Sequence, residues 1–306
     1  INDYGGQIRN FVKSVYLRIR ELKYKEKFKD EKDLYPGEYI IDIAKKILDK
    51  NKSDFKNFDA TYEDLEKDSL KYAMDIIKMD LAKLGIAHDS FISEKLIVNS
   101  KNVEKAVKKL KETKHVVEGY LNPPKGEESK DWKKTKRLIF KSTLFGDDTD
   151  RALQKNDGSW TYFANDVAYH ATKVSKKNDY LINVLGADHT GYIKRITAAV
   201  SALSKNKINL ICKVCQLVKL YKNGNPFKMS KRSGDFISVN DLLNEVSKDS
   251  IRFMMLNRGN DVELDFDFDK VLEKSKENPV FYVQYSYARI SSIFRKLDIK
   301  ETDKIK

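Results

Sequence analysis

The chain has 306 residues, and its 59 lysines and arginines outnumber its 46 aspartates and glutamates, so the formal net charge is +13. Such a length allows about two domains, and the positive charge favours polyanionic partners such as RNA, although a coding bias toward lysine would produce the same excess. The two cysteines and the lack of an apolar run of membrane-spanning length argue against a disulfide-stabilised scaffold and a membrane-spanning protein.

The first part of the chain predicts helices. Apolar side chains recur at three- and four-residue spacing from Gln7 to Lys29, which indicates an amphipathic helix that ends before the turn at Tyr35–Gly37. Further helices are predicted over residues 38–50, 62–84 and 101–112. Gly85 directly follows the second of these and is the type of residue that closes a helix. We interpret these helices as packing elements rather than binding sites.

Short strands are predicted after a polar, Pro- and Gly-containing segment at residues 122–130, which is the best linker candidate. Apolar segments at 138–140, 180–185 and 208–218 alternate with helical patterns, which favours a parallel sheet with crossover helices. Ser238 and Asp241 match a capping box, so a helix is predicted to begin there.

The two cysteines form a Cys-x-x-Cys pattern at Cys212 and Cys215. A zinc site is one interpretation. The surrounding residues, however, have the pattern of a strand, in which an odd spacing sends the two sulfurs to opposite faces. Because no second ligand pair stands nearby, we favour a plain strand and predict no metal ligands.

A lysine-rich loop, Lys228–Gly234 (KMSKRSG), is the strongest sign of chemistry. Lys228 and Lys231 stand three apart before Gly234, and two ammonium groups on a mobile loop suit the charge that builds up on phosphoryl oxygens during nucleotidyl transfer. A solvated basic turn is the alternative. The specific order of seven residues favours the phosphate-binding interpretation.

This loop resembles the KMSKS signature of class I aminoacyl-tRNA synthetases. Six other blocks resemble the bacterial type of arginyl-tRNA synthetase and follow the order of that family: residues 1–8 (INDYGGQI), 145–151 (FGDDTDR), 157–170 (DGSWTYFANDVAYH), 186–192 (GADHTGY), 264–267 (LDFD) and 278–285 (NPVFYVQY). The resemblance runs from the first residue nearly to the last.

The resemblance implies an α/β fold, a Rossmann-like class I catalytic domain with a mostly helical insertion and a C-terminal all-α stub. The expected divisions are catalytic residues 1–30, a helical insertion or connective region at 31–145, the second catalytic part with the lysine loop at 146–275, and the start of an anticodon-binding domain at 276–306. The implied activity is ATP-dependent formation of arginyl-adenylate and transfer of arginine to tRNA(Arg).

The implied partners are arginine, ATP and tRNA(Arg), with Mg²⁺ held through the ATP phosphates and no tightly bound cofactor. A cytoplasmic protein is expected; the sequence fixes no oligomeric state, and a monomer is the expectation. The family's His-x-Gly-His signature is absent, so we expect an internal fragment that is inactive alone. A non-catalytic RNA-binding or interaction module is the alternative, whereas a cysteinyl enzyme would need zinc ligands.

Tyr162 and Asp166 are the candidate arginine-binding pair. They stand four apart, which on a helix places them on one face, and a carboxylate can accept two parallel hydrogen bonds from a guanidinium. A helix-start aspartate beside a half-buried tyrosine is the structural alternative. The resemblance implies that the pair lines the arginine pocket.

The remaining candidates follow from the resemblance. Asp188 and His189 come after an apolar strand, where open α/β sheets bind ligands, although Thr190 replaces the more usual second histidine. Arginine binding is also expected for Asn2, Asp3, Gln7 and His189. Nucleotide binding is expected for Asp188, Gln216, Lys228, Met229, Ser230 and Lys231, with Lys228 and Lys231 catalytic. We interpret His170 as helix packing and Arg232 as a solvated neighbour.

Overall fold

The computed structural model describes residues 1–29, 31–99, 101–121, 135–176, 178–226 and 237–298. The chain divides into two compact units. The first unit comprises Ile1–Tyr4 and Phe91–Leu217, and the second comprises Gly5–Ser90 and Val218–Lys306. The predicted linker at 122–130 and the lysine loop at 228–234 lie outside the described residues. The division at 30, 145 and 275 stays a prediction, because these units are defined by contacts rather than by function.

Three helices open the second unit: α1 (Gly6–Tyr24), α2 (Glu38–Lys50) and α3 (Phe58–Lys83). The predicted bounds of α2 are confirmed. The predicted end of α1 at Lys29 is wrong, because Lys25 adopts the left-handed conformation and stops the helix. The apolar stripes of the three helices bury a common core that includes Val12, Ile43 and Leu65.

Gly85 closes α3, as predicted. Its φ is +73°, and the amides of Gly85 and Ile86 donate to the carbonyls of Ala82 and Leu81, both at 2.8 Å. This pair of hydrogen bonds satisfies two carbonyls that the helix end would otherwise leave without partners. At its other end α3 begins four residues before the prediction, because the Asn57 side chain caps it.

The first unit contains α4 (Glu94–Asn99), α5 (Asn102–Glu112) and an antiparallel sheet of β1 (Val116–Gly119), β2 (Arg137–Phe140) and β3 (Arg151–Ala152). In the register, Val116 pairs with Phe140, and Phe140 pairs with Arg151. The strand at 138–140 is therefore confirmed, but its predicted place in a parallel sheet is wrong. An apolar run identifies a strand without fixing the direction of its neighbours.

A βαβ unit follows and carries the candidate site. It consists of α6 (Tyr162–Val174), β4 (Tyr180–Gly186), a 3-10 helix (Ala187–Tyr192), α7 (Ile193–Ser204) and β5 (Asn209–Cys215). β4 and β5 are parallel, with Tyr180 opposite Asn209 and Gly186 opposite Cys215. The predicted parallel pairing with a crossover helix is confirmed here. Cys212 and Cys215 both lie on β5 as free thiols.

The second unit continues with β6 (Val218–Lys222), β7 (Asn225–Pro226), α8 (Val239–Glu245), α9 (Lys248–Leu256), β8 (Leu264–Asp267), α10 (Phe268–Leu272) and α11 (Pro279–Lys296). The single predicted strand at 208–218 is wrong, because β5 and β6 are separate strands and β6 pairs in parallel with β8. The capping box of Ser238 and Asp241 at the start of α8 is confirmed. Within the described residues, no helix is long and apolar enough to cross a membrane.

Candidate functional site

A cavity of about 410 Å³ lies within the first unit, between one face of α6, the strand β4 and the 3-10 helix that follows β4. Polar groups from all three elements meet in it, on a wall that is otherwise apolar. The polar and ionisable lining residues are Asp166, Tyr169, His170, Lys173, Asn183, His189 and Tyr192. A concave site with a few converging polar groups is the usual form of a small-molecule site.

Asp166 is the central acid of this cavity. The Tyr192 hydroxyl donates to Asp166 Oδ2 at 2.5 Å. Burial raises the pKa of Asp166 above its ordinary value, while the hydrogen bond from Tyr192 and the nearby Lys173 and His189 oppose that rise. Burial and the Asp166 carboxylate together raise the pKa of Tyr192, so its hydroxyl stays a donor at neutral pH. A desolvated carboxylate with a free oxygen can bind a cation such as a guanidinium.

A second set of hydrogen bonds joins α6 to β4. Lys173 Nζ donates to Asn183 Oδ1 at 3.0 Å, Asn183 Nδ2 is 2.9 Å from His170 Nε2, and His170 Nδ1 is 2.8 Å from the main-chain oxygen of Asp166. The Lys173 ammonium also lies 4.3 Å from the centre of the Tyr169 ring. Burial, with Lys173 nearby, lowers the pKa of His170 to about 4, so the imidazole is neutral near pH 7.

Two further carboxylates lie in the same unit. Asp3 is buried, and its Oδ1 accepts a hydrogen bond from the Lys95 main-chain amide at 3.0 Å, in the first turn of α4. Burial raises the pKa of Glu94, and the carboxylates of Asp166 and Asp3 raise it further. Mutual repulsion among three acids is relieved when a cation binds among them. The sequence analysis named Asp3 and Asp166 as candidates for arginine binding and did not name Glu94.

The other candidates for arginine binding are more dispersed. Tyr162 begins α6 as expected, but its side chain is 80% exposed and does not line the cavity. Its ring lies 5.9 Å from Lys155 Nζ. Asn2 is exposed in the first unit, whereas Gln7 is exposed on α1 of the second unit. Asp166 and His189 are therefore the predicted arginine contacts that this cavity brings together.

The candidates for nucleotide binding follow the two parallel strands. Asp188 and His189 lie in the 3-10 helix directly after β4, and His189 Nε2 is 3.5 Å from Asp188 Oδ2. The absence of a side chain at Gly186 leaves room for the Asp188 carboxylate, since a Cβ at Gly186 would lie 2.6 Å from Asp188 Oδ1. Gln216 is half-buried between β5 and β6. The described residues contain no group of three or more His, Cys, Asp or Glu side chains arranged to hold a metal ion.

Sequence reasoning missed most of the neighbours of Asp166. His170 is buried, as the packing interpretation requires, but it is also part of the hydrogen bonds to Asn183. His170 and Lys173 stand four and seven residues after Asp166, which is the spacing of one helical face. That periodicity could have identified both. Asn183 and Tyr192 come from other elements, and nothing in their local sequence pairs them with Asp166.

Comparisons with known proteins define the class. No protein-family model matches the chain. The fold matches two solved structures described as arginyl-tRNA synthetases: one from Campylobacter jejuni with a TM-score of 0.79 and 31% identity, covering 98% of this chain and 62% of that one, and one from Thermus thermophilus with a TM-score of 0.57 and 15% identity, covering 94% and 56%. At 15% identity, the match to the Thermus thermophilus structure shows a similarity of fold alone. The mixed α/β chain thus has the fold of a class I aminoacyl-tRNA synthetase.

The sequence comparison identifies the family within that class. The chain is 58% identical over 301 residues to an arginine–tRNA ligase of Pelagibacter ubique, covering 98% of this chain and 52% of the relative. It is 48% identical to the arginine–tRNA ligase of Roseobacter denitrificans over 97% of this chain and 52% of that relative. The chain spans about half the length of the curated relatives it matches. Over the stretch that it covers, it belongs to the arginyl-tRNA synthetase family.

Proposed function

We propose that the protein containing this chain is an arginine–tRNA ligase, and that the cavity around Asp166 binds the guanidinium of arginine. The observation that supports the proposal is the half-buried Asp166 carboxylate, which Tyr192 orients from one side at 2.5 Å. Glu94 and Asp3 add negative charge to the region. A guanidinium is planar, permanently charged and weakly hydrated, and it is therefore the cation best suited to such a desolvated acidic site.

The proposed chemistry has two steps. An oxygen of the arginine carboxylate attacks the α-phosphorus of ATP, the bond to the bridging oxygen breaks, and pyrophosphate leaves. A ribose hydroxyl at the end of tRNA(Arg) then attacks the arginyl carbonyl carbon, and AMP leaves with the electron pair of the broken bond. In both steps the role of Asp166 is to hold the side chain of arginine, which keeps its carboxylate in place.

The roles of the phosphate-binding residues remain proposals from the sequence. Lys228 and Lys231 would stabilise the charge on the α-phosphate and on the leaving pyrophosphate, with Met229 and Ser230 beside them, and all four lie outside the described residues. Asp188 and Gln216 would contact the adenosine. Mg²⁺ would enter with the ATP phosphates. We further propose a monomer that acts in the cytoplasm, a reducing compartment that suits the free thiols of Cys212 and Cys215.

A non-catalytic module derived from a synthetase is the less favoured function. Such a module would have no need to keep a desolvated acid together with the groups that orient it. The presence of Tyr192, His170 and Asn183 around Asp166 supports a site that still binds a ligand.

The test is Asp166→Asn in the full-length protein. The amide keeps the size of the side chain but removes the charge, so we expect the arginine KM to rise about a hundredfold while the KM for ATP changes little. Asp157→Asn is the matched control, because Asp157 accepts its hydrogen bonds from Ser159 within an exposed turn. An unchanged arginine KM in Asp166→Asn would exclude the proposed role of this cavity.

A further inference from the structure

The hydrogen bonds that join Lys173, Asn183, His170 and the Asp166 main chain have a fixed direction. A lysine ammonium can only donate, so it is the oxygen of the Asn183 amide that faces Lys173. The amide nitrogen then faces His170 and donates to Nε2. With Nε2 accepting, a neutral imidazole carries its proton on Nδ1, and Nδ1 donates to the main-chain oxygen of Asp166. Each group thus settles the role of the next.

Asn183 is the residue on which this order depends. It lies on β4, whereas the other three groups lie on α6, so its amide is the connection between the helix and the strand across the cavity. Few side chains could replace it. Leucine has neither donor nor acceptor, and an aspartate has no proton to give Nε2. Serine and threonine are too short to preserve both distances of about 3 Å.

We propose that Asn183 is a positioning residue, whose amide fixes the turn of α6 that carries Asp166 against strand β4 and so sets the place of the arginine-binding carboxylate. This inference rests on the proposed function of the cavity. Tyr192 donates to the carboxylate itself. Asn183 acts instead on the main chain of Asp166, because it bonds His170 and His170 bonds the Asp166 main-chain oxygen. Two independent restraints on one acid keep its geometry before the ligand arrives, which lowers the cost of binding.

The hydrogen bond from Asn183 also requires that His170 be neutral. Its side chain is 5% exposed, and burial together with the charge of Lys173 keeps its pKa low, at about 4. On its own helix it is faced by Lys173, by the main-chain oxygen of Asp166 and by the Tyr169 ring, whose centre lies 5.5 Å from that of the imidazole. Strand β4 contributes the neutral Asn183. A neutral imidazole can accept from the amide, whereas an imidazolium would present a second donor to Nδ2.

The first experiment reads the tautomer of His170 by NMR of ring-¹⁵N-labelled histidine in the full-length protein. We expect a protonated Nδ1 and an unprotonated Nε2, with the resonance identified by its loss in His170→Asn. In Asn183→Asp the new carboxylate faces Nε2 and favours the imidazolium, so the pKa of His170 should rise from about 4 to above its ordinary value of about 6.5. A protonated Nε2 in the unaltered protein would overturn the proposal.

The second experiment measures arginine and ATP kinetics. Asn183→Leu removes both hydrogen bonds at similar volume, and we expect the arginine KM to rise about tenfold or more with the ATP KM nearly unchanged. Asn209→Leu is the matched control, because Asn209 is exposed on the neighbouring strand β5 and does not line the cavity. An unaltered arginine KM in Asn183→Leu would overturn the positioning role.

The two proposals can fail separately. If the unaltered protein has no activity with arginine, the proposed function is wrong, and the tautomer of His170 still tests the order of the hydrogen bonds. If the unaltered protein uses arginine and Asn183→Leu matches it, the function stands and the role of Asn183 is wrong. Equal melting temperatures of Asn183→Leu and Asn209→Leu would attribute a change in KM to the site rather than to unfolding.

Discussion

The carboxylate of Asp166 receives opposing influences from its neighbours. Burial raises its pKa, whereas the hydrogen bond from the Tyr192 hydroxyl and the nearby Lys173 and His189 lower it and so favour the ionised form. Only the ionised form can pair with a guanidinium. The site therefore depends on groups that keep a half-buried acid charged, and among them Tyr192 donates a hydrogen bond directly to the carboxylate.

Tyr192→Phe tests that dependence. Loss of the hydroxyl removes a hydrogen bond to the ionised carboxylate, so the pKa of Asp166 rises further. If Asp166 binds arginine as proposed, binding is lost as pH falls through that pKa, and the loss should set in at higher pH in the variant. At neutral pH we expect the arginine KM to rise about tenfold. The measurement is arginine KM against pH for both proteins.

Tyr169→Phe is the control for this experiment. The Tyr169 ring contacts Lys173 in the same cavity, and the substitution keeps that ring while deleting a hydroxyl that does not contact Asp166. We expect the pH profile of Tyr169→Phe to follow the unaltered protein. Superimposable profiles for all three proteins would show that the bond from Tyr192 does not keep Asp166 ionised.

Among the elements, the end of α3 offers a clear test of helix capping. Gly85 has a φ of +73°, where a side chain adds strain, and a Cβ there would meet Lys248 Nζ at an ordinary 3.5 Å. The cost of Gly85→Ala is thus conformational rather than steric, and we expect a loss of about 1 kcal/mol in the free energy of unfolding. Urea denaturation measures it.

Gly6→Ala is the matched control for that substitution. Gly6 is the first residue of α1, its φ is not positive, and a Cβ there would have open space. Alanine is the better helix former, so the stability of this variant should be unchanged or slightly higher. If Gly85→Ala were as stable as Gly6→Ala, the left-handed cap would not be what ends α3.

The elements also show what a sequence can predict. The bounds of α2 follow from Ile40, Ile43 and Ile47, which recur at helical spacing and are all buried. The early end of α1 could not be predicted, because Lys25 is not a residue that favours the left-handed conformation it adopts. The break between β5 and β6 could not be predicted either, since neither glycine nor proline marks it. The six-residue helix α4 is too short for a periodic signal.

The residues of the candidate site also divide into those that the sequence could suggest and those that it could not. Asp166 could be named as a candidate only through the resemblance, because its spacing from Tyr162 alone suits a helix-start aspartate equally well. Two of the groups around it could not be predicted: Tyr192, which donates to its carboxylate, and Asn183, which is connected to it only through His170. They belong to a 3-10 helix and a strand that only the folded chain brings beside α6. Sequence patterns report which face of an element is buried, whereas the pairing of polar groups between elements depends on the tertiary structure.

At the scale of the whole molecule, the net charge of +13 predicts salt-sensitive binding of tRNA. Each phosphate that a lysine or arginine neutralises releases a counterion, so affinity falls with salt in proportion to the number of contacts. With about three contacts or more, the apparent affinity of this chain for tRNA should fall at least about tenfold between ~50 and ~200 mM salt. Filter binding or fluorescence anisotropy measures it.

Two tRNAs separate charge from recognition in that experiment. Backbone phosphates are common to tRNA(Arg) and to a tRNA of another specificity, so the dependence on salt should be the same for both. Contacts to bases change little with salt, and a constant ratio of the two affinities across the series would measure them. If the chain does not bind either tRNA even at low salt, the lysine excess reflects composition rather than RNA binding.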